Sequence, residues 1–157
     1  GGLSVGEPKE LMWEMLDEAV PLLPKAKPHY LMGVGYPDDL VEGVSRGIDL
    51  FDCVIPTRNG RRGQVFTRTG ALKLTGARFA EDAEPIERDC SCEACREHSR
   101  AYIHHLMRTG EILGMRLCTL HNITYYMRLV DEMRKAIEAK CFQLWRNDFK
   151  RDYGCEN

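Results

Sequence analysis

Two apolar runs lie close together in the chain, Tyr30-Leu31-Met32-Gly33-Val34-Gly35 and Ile48-Asp49-Leu50-Phe51-Asp52-Cys53-Val54-Ile55. Each run is short and bounded by proline or glycine, which is typical of a buried strand. Between them, residues 38–46 predict a short helix that ends at Gly47. Because strand and helix alternate, we expect an α/β fold in which the two strands are parallel.

Beyond these runs, apolar spacing predicts several helices and one hairpin. The predicted helices are residues 8–23, 99–108 and 111–117, a longer helix capped by Asn122, and residues 142–153. The hairpin joins strands 64–67 and 72–75 around a turn at Thr69-Gly70. No internal repeat or low-complexity linker interrupts this order.

Cysteine usage indicates the compartment. Three of the seven cysteines fall within positions 90–95, and the others are scattered at Cys53, Cys118, Cys141 and Cys155. Secreted disulfide scaffolds usually carry an even, spread set, whereas a tight cluster plus isolated thiols fits a reducing compartment and a metal site. No apolar run approaches the roughly 18 residues of a membrane span. We therefore expect a cytoplasmic protein with no membrane partner.

The cysteine cluster reads Cys90-x-Cys92-x2-Cys95 and places three thiols within one tight turn. Three thiolates and one imidazole satisfy a tetrahedral zinc ion, and a site with four protein ligands is structural. The spacing leaves the fourth ligand open among His121, His98, His104 and His105. His121 is favoured because it lies beside the predicted helix start. An iron–sulfur cluster completed by Cys118, or three free buried cysteines, are the alternatives.

Residues 57–78 form a basic segment that we expect to begin as a loop. It contains no acid and six basic residues, Arg58, Arg61, Arg62, Arg68, Lys73 and Arg78. Guanidinium groups match phosphate oxygens, and Gly60 and Gly63 would let the backbone approach a ligand closely. The segment therefore predicts contact with an RNA backbone, with a solvated loop as the alternative.

Asp52 lies near the end of the second predicted strand. In parallel α/β folds, polar side chains at the carboxyl ends of strands form active sites. Asp49 is the competing carboxylate, but it falls at the start of the same strand, where a solvated or capping role is expected. The sequence therefore predicts Asp52 as a catalytic carboxylate, against the alternative of a structural hydrogen-bonding group.

Taken together, these motifs resemble the tRNA-guanine transglycosylase family, also called queuine tRNA-ribosyltransferases. The resemblance runs in order along nearly the whole chain, through residues 1–7, 29–35, 49–58, 90–95, 99–106 and 120–123. It implies the C-terminal part of a (β/α)8 TIM barrel with a zinc-binding insertion. Residues 1–58 would supply the last βα units, residues 59–121 the basic loop and the insertion, and residues 122–157 the closing helices.

The resemblance also implies an activity. Asp52 would be the nucleophile that displaces guanine 34 in the anticodon of a tRNA with a GUN anticodon, through a covalent ribosyl-aspartate intermediate. The incoming base would be preQ1 or a related 7-deazaguanine, in queuosine biosynthesis, and Val5 fits the preQ1-using form. One structural zinc ion would be held by Cys90, Cys92, Cys95 and His121.

Further site residues follow from the same resemblance. Gly2 and Leu3 would contact the base edge, Met32 and Gly33 its face, and Tyr30 would lie near the ribose. Arg58, Arg61 and Arg62 would contact the RNA. Tyr102, His105 and Leu117 fall in the region where bacterial relatives form a homodimer.

A complete barrel of this kind needs roughly 200 residues or more, whereas this chain has 157. The resemblance implies that other base-reading residues lie upstream of Gly1, so we expect these residues alone to be inactive. The alternative function is a zinc-stabilised RNA-binding module or a non-catalytic partner subunit. Asp52 distinguishes the two, because a non-catalytic subunit has little reason to keep a carboxylate at that strand end.

Overall fold

A computed structural model describes residue 6 and residues 8–154, and the chain divides into two compact units, Gly1–Val54 and Ile55–Asn157. The helices are α1 (Lys9–Ala19), α2 (Pro37–Ser45), α3 (Ile55–Arg61), α4 (Glu93–Glu97), α5 (Arg100–Thr109), α6 (Ile112–Glu138) and α7 (Phe142–Asp152). The strands are β1 (Tyr30–Leu31), β2 (Leu50–Phe51), β3 (Gln64–Thr67) and β4 (Gly70–Lys73). None of the described helices is both long and apolar enough to cross a membrane.

The first unit contains one strand–helix–strand element. β1 and β2 pair in parallel, with Tyr30 opposite Leu50 and α2 between them in the chain, which confirms the predicted α/β arrangement. Pro37 opens α2, where its missing N–H costs no hydrogen bond. The paired strands are shorter than the apolar runs because Gly33, at φ 74°, turns the backbone away from an extended path. The core of this unit contains Met12, Leu16, Leu31, Val34 and Ile48.

The second unit is organised around α6, whose 27 residues contact α3, α4, α5, α7 and β3. Ser99 caps α5 by accepting a hydrogen bond from the Tyr102 N–H at 3.2 Å, and Gly110 ends it in the left-handed region at φ 75°. The core of the unit combines the apolar side chains of the hairpin and helices with the cysteines. Its members include Val65, Leu72, Leu74, Ile86, Cys90, Ile103, Leu106 and Leu117.

The structure corrects three predictions about this unit. The expected helix start at Asn122 is wrong, because α6 runs without interruption from Ile112 to Glu138. The basic segment does not begin as a loop, since Ile55–Arg61 is helical. The hairpin is present, with Val65 opposite Leu72, but β4 begins two residues earlier than predicted.

Candidate metal centre and candidate catalytic carboxylate

The predicted metal ligands come from two separate parts of the second unit, the segment at α4 and the middle of α6. Cys90 precedes α4, Cys92 occupies its N-cap position and Cys95 lies within it, while His121 lies in the middle of α6. Their ligand atoms all lie within 4.8 Å of one another, and all four residues are buried. The Nδ1 atom of His121 is 3.7 Å from the sulfur of Cys90, 3.7 Å from that of Cys92 and 3.3 Å from that of Cys95.

These distances fit a tetrahedral metal ion. Bonds of roughly 2.3 Å to sulfur and 2.1 Å to nitrogen place ligand atoms about 3.6–3.8 Å apart. The other ring nitrogen of His121, Nε2, lies 2.8 Å from the carbonyl oxygen of Phe66 and donates its proton there. In the neutral imidazole that bond leaves Nδ1 as the unprotonated nitrogen beside the three sulfurs, which is the form a metal ligand requires. The group could therefore hold one metal ion.

Asn122, the next residue on α6, fixes the strand to which His121 is bonded. Its Oδ1 accepts the Phe66 N–H at 3.1 Å, and its Nδ2 donates to the carbonyl oxygens of Pro56 at 2.9 Å and Gln64 at 3.0 Å. Asn122 is completely buried. Adjacent side chains of α6 thus bond both backbone groups of Phe66. This positioning role was not predicted, because an asparagine before an apolar stripe is also typical of a helix cap.

Electrostatics within the cluster shift the pKa values of its members in opposite directions, down at Cys90 and up at Cys95 and His121. Hydrogen bonds from the Cys92 and Cys95 thiols hold the pKa of Cys90 far below its ordinary value. Burial disfavours a charged His121, but hydrogen bonds with Cys90 and Cys92 outweigh it and raise the pKa of His121 to about 9. A proton on the imidazole and a metal ion compete for the same nitrogen. Metal binding here would therefore release protons.

The competing histidines occupy other places. The His104 Nδ1 bonds the Leu74 carbonyl oxygen at 2.7 Å, and the His98 ring stacks on Tyr102 with 5.0 Å between centroids. His105 is exposed on α5. Cys118 is buried in the core, and burial raises the pKa of its thiol to about 12. Among the described residues, the group formed with His121 is the one whose geometry suits a metal.

Asp52 follows β2 directly, and its carboxylate is exposed. The Tyr30 hydroxyl donates to its Oδ1 at 2.6 Å, and the Gly33 N–H donates to the same oxygen at 3.1 Å. The hydrogen bond from Tyr30, followed by that from Gly33, lowers the pKa of Asp52. The structure therefore presents an ionised carboxylate with one anchored oxygen, which is suited to act as a nucleophile or a base.

Asp49 has a different environment, since its Oδ2 accepts the backbone N–H of His29 at 2.7 Å just before β1. Of the other predicted substrate contacts, Tyr30, expected near the ribose, and Gly33 lie beside Asp52, and Met32 is 57% exposed. Gly2 and Leu3, like Val5, lie outside the described residues.

The predicted RNA-contacting arginines are grouped at the end of α3. Arg58, Arg61 and Arg62 are all exposed. The expectation that Gly60 admits a ligand is wrong. A Cβ atom there would lie 2.8 Å from the Thr119 Cα, so Gly60 allows α3 to pack closely on α6. Gly63 has φ 73° and completes the turn into β3.

Comparison with known proteins identifies the family. The family model described as queuine tRNA-ribosyltransferase matches residues 1–154. Proteins named queuine tRNA-ribosyltransferase are similar to this chain: that of Janthinobacterium sp. (strain Marseille) is 59% identical over 97% of the chain and 40% of its own length. That of Pelotomaculum thermopropionicum is 57% identical over 98% and 41%, and that of Zymomonas mobilis 52% identical over 100% and 41%. The chain, which spans about 40% of the length of these curated relatives, belongs to the queuine tRNA-ribosyltransferase family.

Proposed function

We propose that this chain provides the nucleophile and the metal centre of a tRNA-guanine transglycosylase. The enzyme would exchange guanine 34 of a GUN anticodon for preQ1 or a related 7-deazaguanine, in queuosine biosynthesis. The observation that carries this proposal is Asp52, an exposed carboxylate whose pKa is lowered by the hydrogen bonds from Tyr30 and Gly33. The name that its relatives bear supports transfer of a ribosyl group of tRNA.

In the first step, a carboxylate oxygen of Asp52 attacks C1′ of the nucleotide and forms a C–O bond. The bond from C1′ to N9 of guanine breaks, and guanine leaves with the electron pair and takes up a proton. Because one oxygen of Asp52 is held by Tyr30 and Gly33, the other oxygen is available for attack. The geometry thus orients the nucleophile before the tRNA binds.

In the second step, N9 of the incoming base loses its proton and attacks C1′ from the face opposite Asp52. The C–O bond to Asp52 breaks and the carboxylate is regenerated. Two displacements return the original configuration at C1′, as in retaining glycoside hydrolysis. The hydrogen bond from Tyr30 favours the charged carboxylate and therefore favours its departure.

We assign base contacts to Gly2, Leu3, Met32 and Gly33, and contact near the ribose to Tyr30. Arg58, Arg61 and Arg62 would bind the phosphates, which their exposure on and after α3 supports. Replacing Arg61 by Gln should weaken tRNA binding and reduce the slope of log affinity against log salt by about 1. An unchanged slope would exclude Arg61 from phosphate contact.

We propose that the metal is one structural Zn²⁺ ion held by Cys90, Cys92, Cys95 and His121. A set of three sulfurs and one imidazole suits zinc, and four protein ligands leave no open coordination position for a substrate. Zinc bound there would supply a cross-link between α4 and α6. Metal analysis of the purified chain, expected to give one zinc per chain, tests the identity of the ion.

We also propose that the complete protein is a cytoplasmic enzyme built on a (β/α)8 barrel. This chain spans about 40% of the length of its curated relative. A homodimer is supported by Tyr102, which is 40% exposed on α5, and by the exposed His105. Leu117 was expected in the same interface but is fully buried in the core, so it does not reach a partner.

A chimera tests the chemistry, with this chain in place of the matched region of the Janthinobacterium relative. We expect the chimera to incorporate labelled guanine into tRNA and to form an RNA–protein adduct that survives denaturation. Asp52→Asn should abolish both, while Asp49→Asn is the matched control and should retain both. The 157-residue chain alone should not exchange the base.

Two outcomes would overturn the proposal. Turnover in the Asp52→Asn chimera would exclude Asp52 as the nucleophile. A chimera that binds tRNA but forms no adduct and exchanges no base would instead support the non-catalytic RNA-binding alternative.

A further inference from the structure

Glu87 lies shortly before Cys90 in the chain and connects this segment with two other elements of the second unit. Its Oε1 accepts the backbone N–H of Arg68, in the turn between β3 and β4, at 2.8 Å. Its Oε2 accepts a hydrogen bond from the Arg128 guanidinium on α6. The side chain of Glu87 is 11% exposed and that of Arg128 is 25% exposed. Because both carboxylate oxygens are bonded and largely shielded from solvent, Glu87 is held in one orientation.

The backbone of Glu87 contacts the metal cluster directly. Its N–H donates a hydrogen bond to the sulfur of Cys95, and its carbonyl oxygen accepts the Cys90 N–H at 3.3 Å. Groups that bond a metal ligand from outside fix its orientation and tune its strength as a donor. The side chain of Glu87 therefore holds a residue whose main chain touches two of the predicted ligands.

The side-chain partners of Glu87 belong to the elements that hold His121. Arg128 follows His121 by about two turns of α6, so the two residues lie on the same side of the helix. Arg68 comes shortly after Phe66, whose carbonyl oxygen bonds the His121 ring at 2.8 Å. Glu87 thus links the cysteine segment to both the helix and the hairpin that position the fourth predicted ligand.

Charge favours the same arrangement. Three thiolates, a neutral imidazole and one divalent ion together carry a net negative charge. The Arg128 guanidinium is close enough to Cys90 for an attractive interaction between their charges. Glu87 holds that guanidinium by its hydrogen bond, and Glu132 lies 3.8 Å from it on the same helix. A cation is therefore fixed beside the thiolates by a carboxylate that is not itself a ligand.

We infer that Glu87 is a positioning residue for the metal centre, which acts through its backbone contact with Cys95 and through Arg128. The inference rests on the proposed zinc site, and it extends that site beyond the four ligands. Loss of such an outer partner typically weakens metal binding about 10–100-fold. The affinity of the chain for zinc should therefore depend on Glu87.

Zinc affinity of the 157-residue chain, measured by competition with a chromophoric chelator, tests the inference. Glu87→Ala removes both side-chain hydrogen bonds and should weaken zinc binding about 10–100-fold. Glu93→Ala is the matched control, because Glu93 lies on α4 and also pairs with α6, through Arg116 at 3.6 Å. The side chains of that pair are 42% and 65% exposed, so the control should bind zinc as the wild-type chain does. Wild-type zinc affinity in Glu87→Ala would overturn the inference.

A spectroscopic measurement separates orientation of the ligands from a general loss of stability. In the chain fully loaded with Co²⁺, the thiolate-to-cobalt charge-transfer absorption reports on the sulfur ligands themselves. We expect Glu87→Ala to shift this absorption and Glu93→Ala to leave it unchanged. Weaker zinc binding with an unchanged cobalt spectrum would mean that Glu87 only stabilises the fold, and would overturn its positioning role.

Glu87→Gln is a milder variant that should fold even if Glu87→Ala does not. It keeps an acceptor for the Arg68 N–H and removes only the charge that holds Arg128, so zinc binding should weaken less than in Glu87→Ala. Combining Glu87→Gln with Arg128→Gln should add little to the effect of Arg128→Gln alone, because the two side chains act as one pair. Fully additive losses would exclude action through Arg128.

The same titration separates this inference from the proposed function. If the wild-type chain binds one zinc ion and the Glu87 variants bind it equally well, the positioning role fails and the proposed zinc site stands. If the wild-type chain binds no zinc, the proposed metal and this inference fail together. The covalent adduct of the chimera, which depends on Asp52, decides the proposed chemistry in either case.

Discussion

The metal centre and the carboxylate site both use hydrogen bonds to orient a reactive atom, but they differ in exposure. The His121 ring is anchored at 2.8 Å by the carbonyl oxygen of Phe66, and Asp52 is anchored at 2.6 Å by the hydroxyl of Tyr30. All four metal ligands are buried, whereas Asp52 is exposed. Orientation is therefore common to both sites, and of the two only the carboxylate is open to solvent.

This difference in exposure predicts different effects of substitutions at the two sites. The metal ligands connect the α4 region with the middle of α6, so any change there disturbs the core of the second unit. Asp52 receives its hydrogen bonds at the surface and adds little to a core. We expect changes at the metal centre to lower the free energy of unfolding strongly. Changes around Asp52 should alter its titration and leave stability nearly unchanged.

Loss of the metal should have the largest effect. Cys95→Ser, or treatment with a strong chelator, should lower the free energy of unfolding by more than about 4 kcal/mol, in the range of lost metal sites. The measurement is thermal and denaturant unfolding followed by circular dichroism. Cys141→Ser is the matched control, because Cys141 is a partly exposed cysteine outside the cluster. A chelator-insensitive melting curve would contradict the structural role of the metal.

Asn122→Ala should have the next largest effect. The change leaves the Phe66 N–H and the carbonyl oxygens of Pro56 and Gln64 without their partner in the core. Each unsatisfied buried group costs about 1–3 kcal/mol, so the loss of the partner of three groups should cost at least roughly 3 kcal/mol.

Chemical denaturation measures the loss, with Asn147→Ala on the exposed face of α7 as the control. Metal affinity should fall as well, because the strand that orients His121 is no longer held. Equal stability of the two variants would show that α6 does not depend on this connection.

The role of Asn122 could not be predicted from local sequence rules. Its type and its position before an apolar stripe fit a helix cap, and that rule is local. The structure uses the same side chain to bond a strand 56 residues away in sequence, at Phe66. The fourth metal ligand was open for the same reason, since spacing placed three cysteines together but could not bring α6 to them. Family resemblance, rather than spacing, pointed to His121.

Other parts of the fold could be predicted from the sequence, because the residues that determine them are close together in the chain. Apolar runs bounded by proline and glycine predicted the parallel pair β1 and β2, and short strands around the turn at Thr69-Gly70 predicted the hairpin strand β3 at Gln64–Thr67. α3 was missed because its glycine and arginine content is typical of a loop. The need for Gly60 arises only from its contact with Thr119. Likewise, the bond from Tyr30 to Asp52 depends on strand register, which the sequence does not show.

Gly60→Ala should have a smaller effect, again on stability. The added Cβ would lie 2.8 Å from the Cα of Thr119, so α3 must shift from α6 at a cost of about 1–3 kcal/mol. Gly110→Ala is the contrasting variant. Its φ of 75° makes alanine strained, but no atom lies within 4 Å of the new Cβ. Differential scanning calorimetry should show the larger decrease for Gly60→Ala, and the opposite order would contradict close packing of α3 on α6.

Tyr30→Phe should have the smallest effect on stability and a distinct effect on pH dependence. In the native state, the hydrogen bond from Tyr30 is the main cause that lowers the pKa of Asp52, and the Gly33 N–H adds to it. A lowered native pKa stabilises the fold above the ordinary carboxyl pKa of about 3.9, and the effect disappears as pH falls through the lowered value. Without the hydroxyl, the pKa of Asp52 should rise toward its ordinary value. The range of acidic pH over which Asp52 makes stability depend on pH then narrows.

A carbon-detected NMR titration of the Asp52 carboxyl group measures this shift. Tyr36→Phe serves as the control, because Tyr36 is not among the groups that bond Asp52. Under the proposed function, in which ionised Asp52 is the nucleophile, the acidic limb of the pH–rate profile of the chimera should move to higher pH in parallel with the titration. An Asp52 pKa that does not change in Tyr30→Phe would mean that the Gly33 N–H alone holds the carboxylate. The metal centre and the carboxylate site would then each have one anchoring hydrogen bond and would differ in exposure alone.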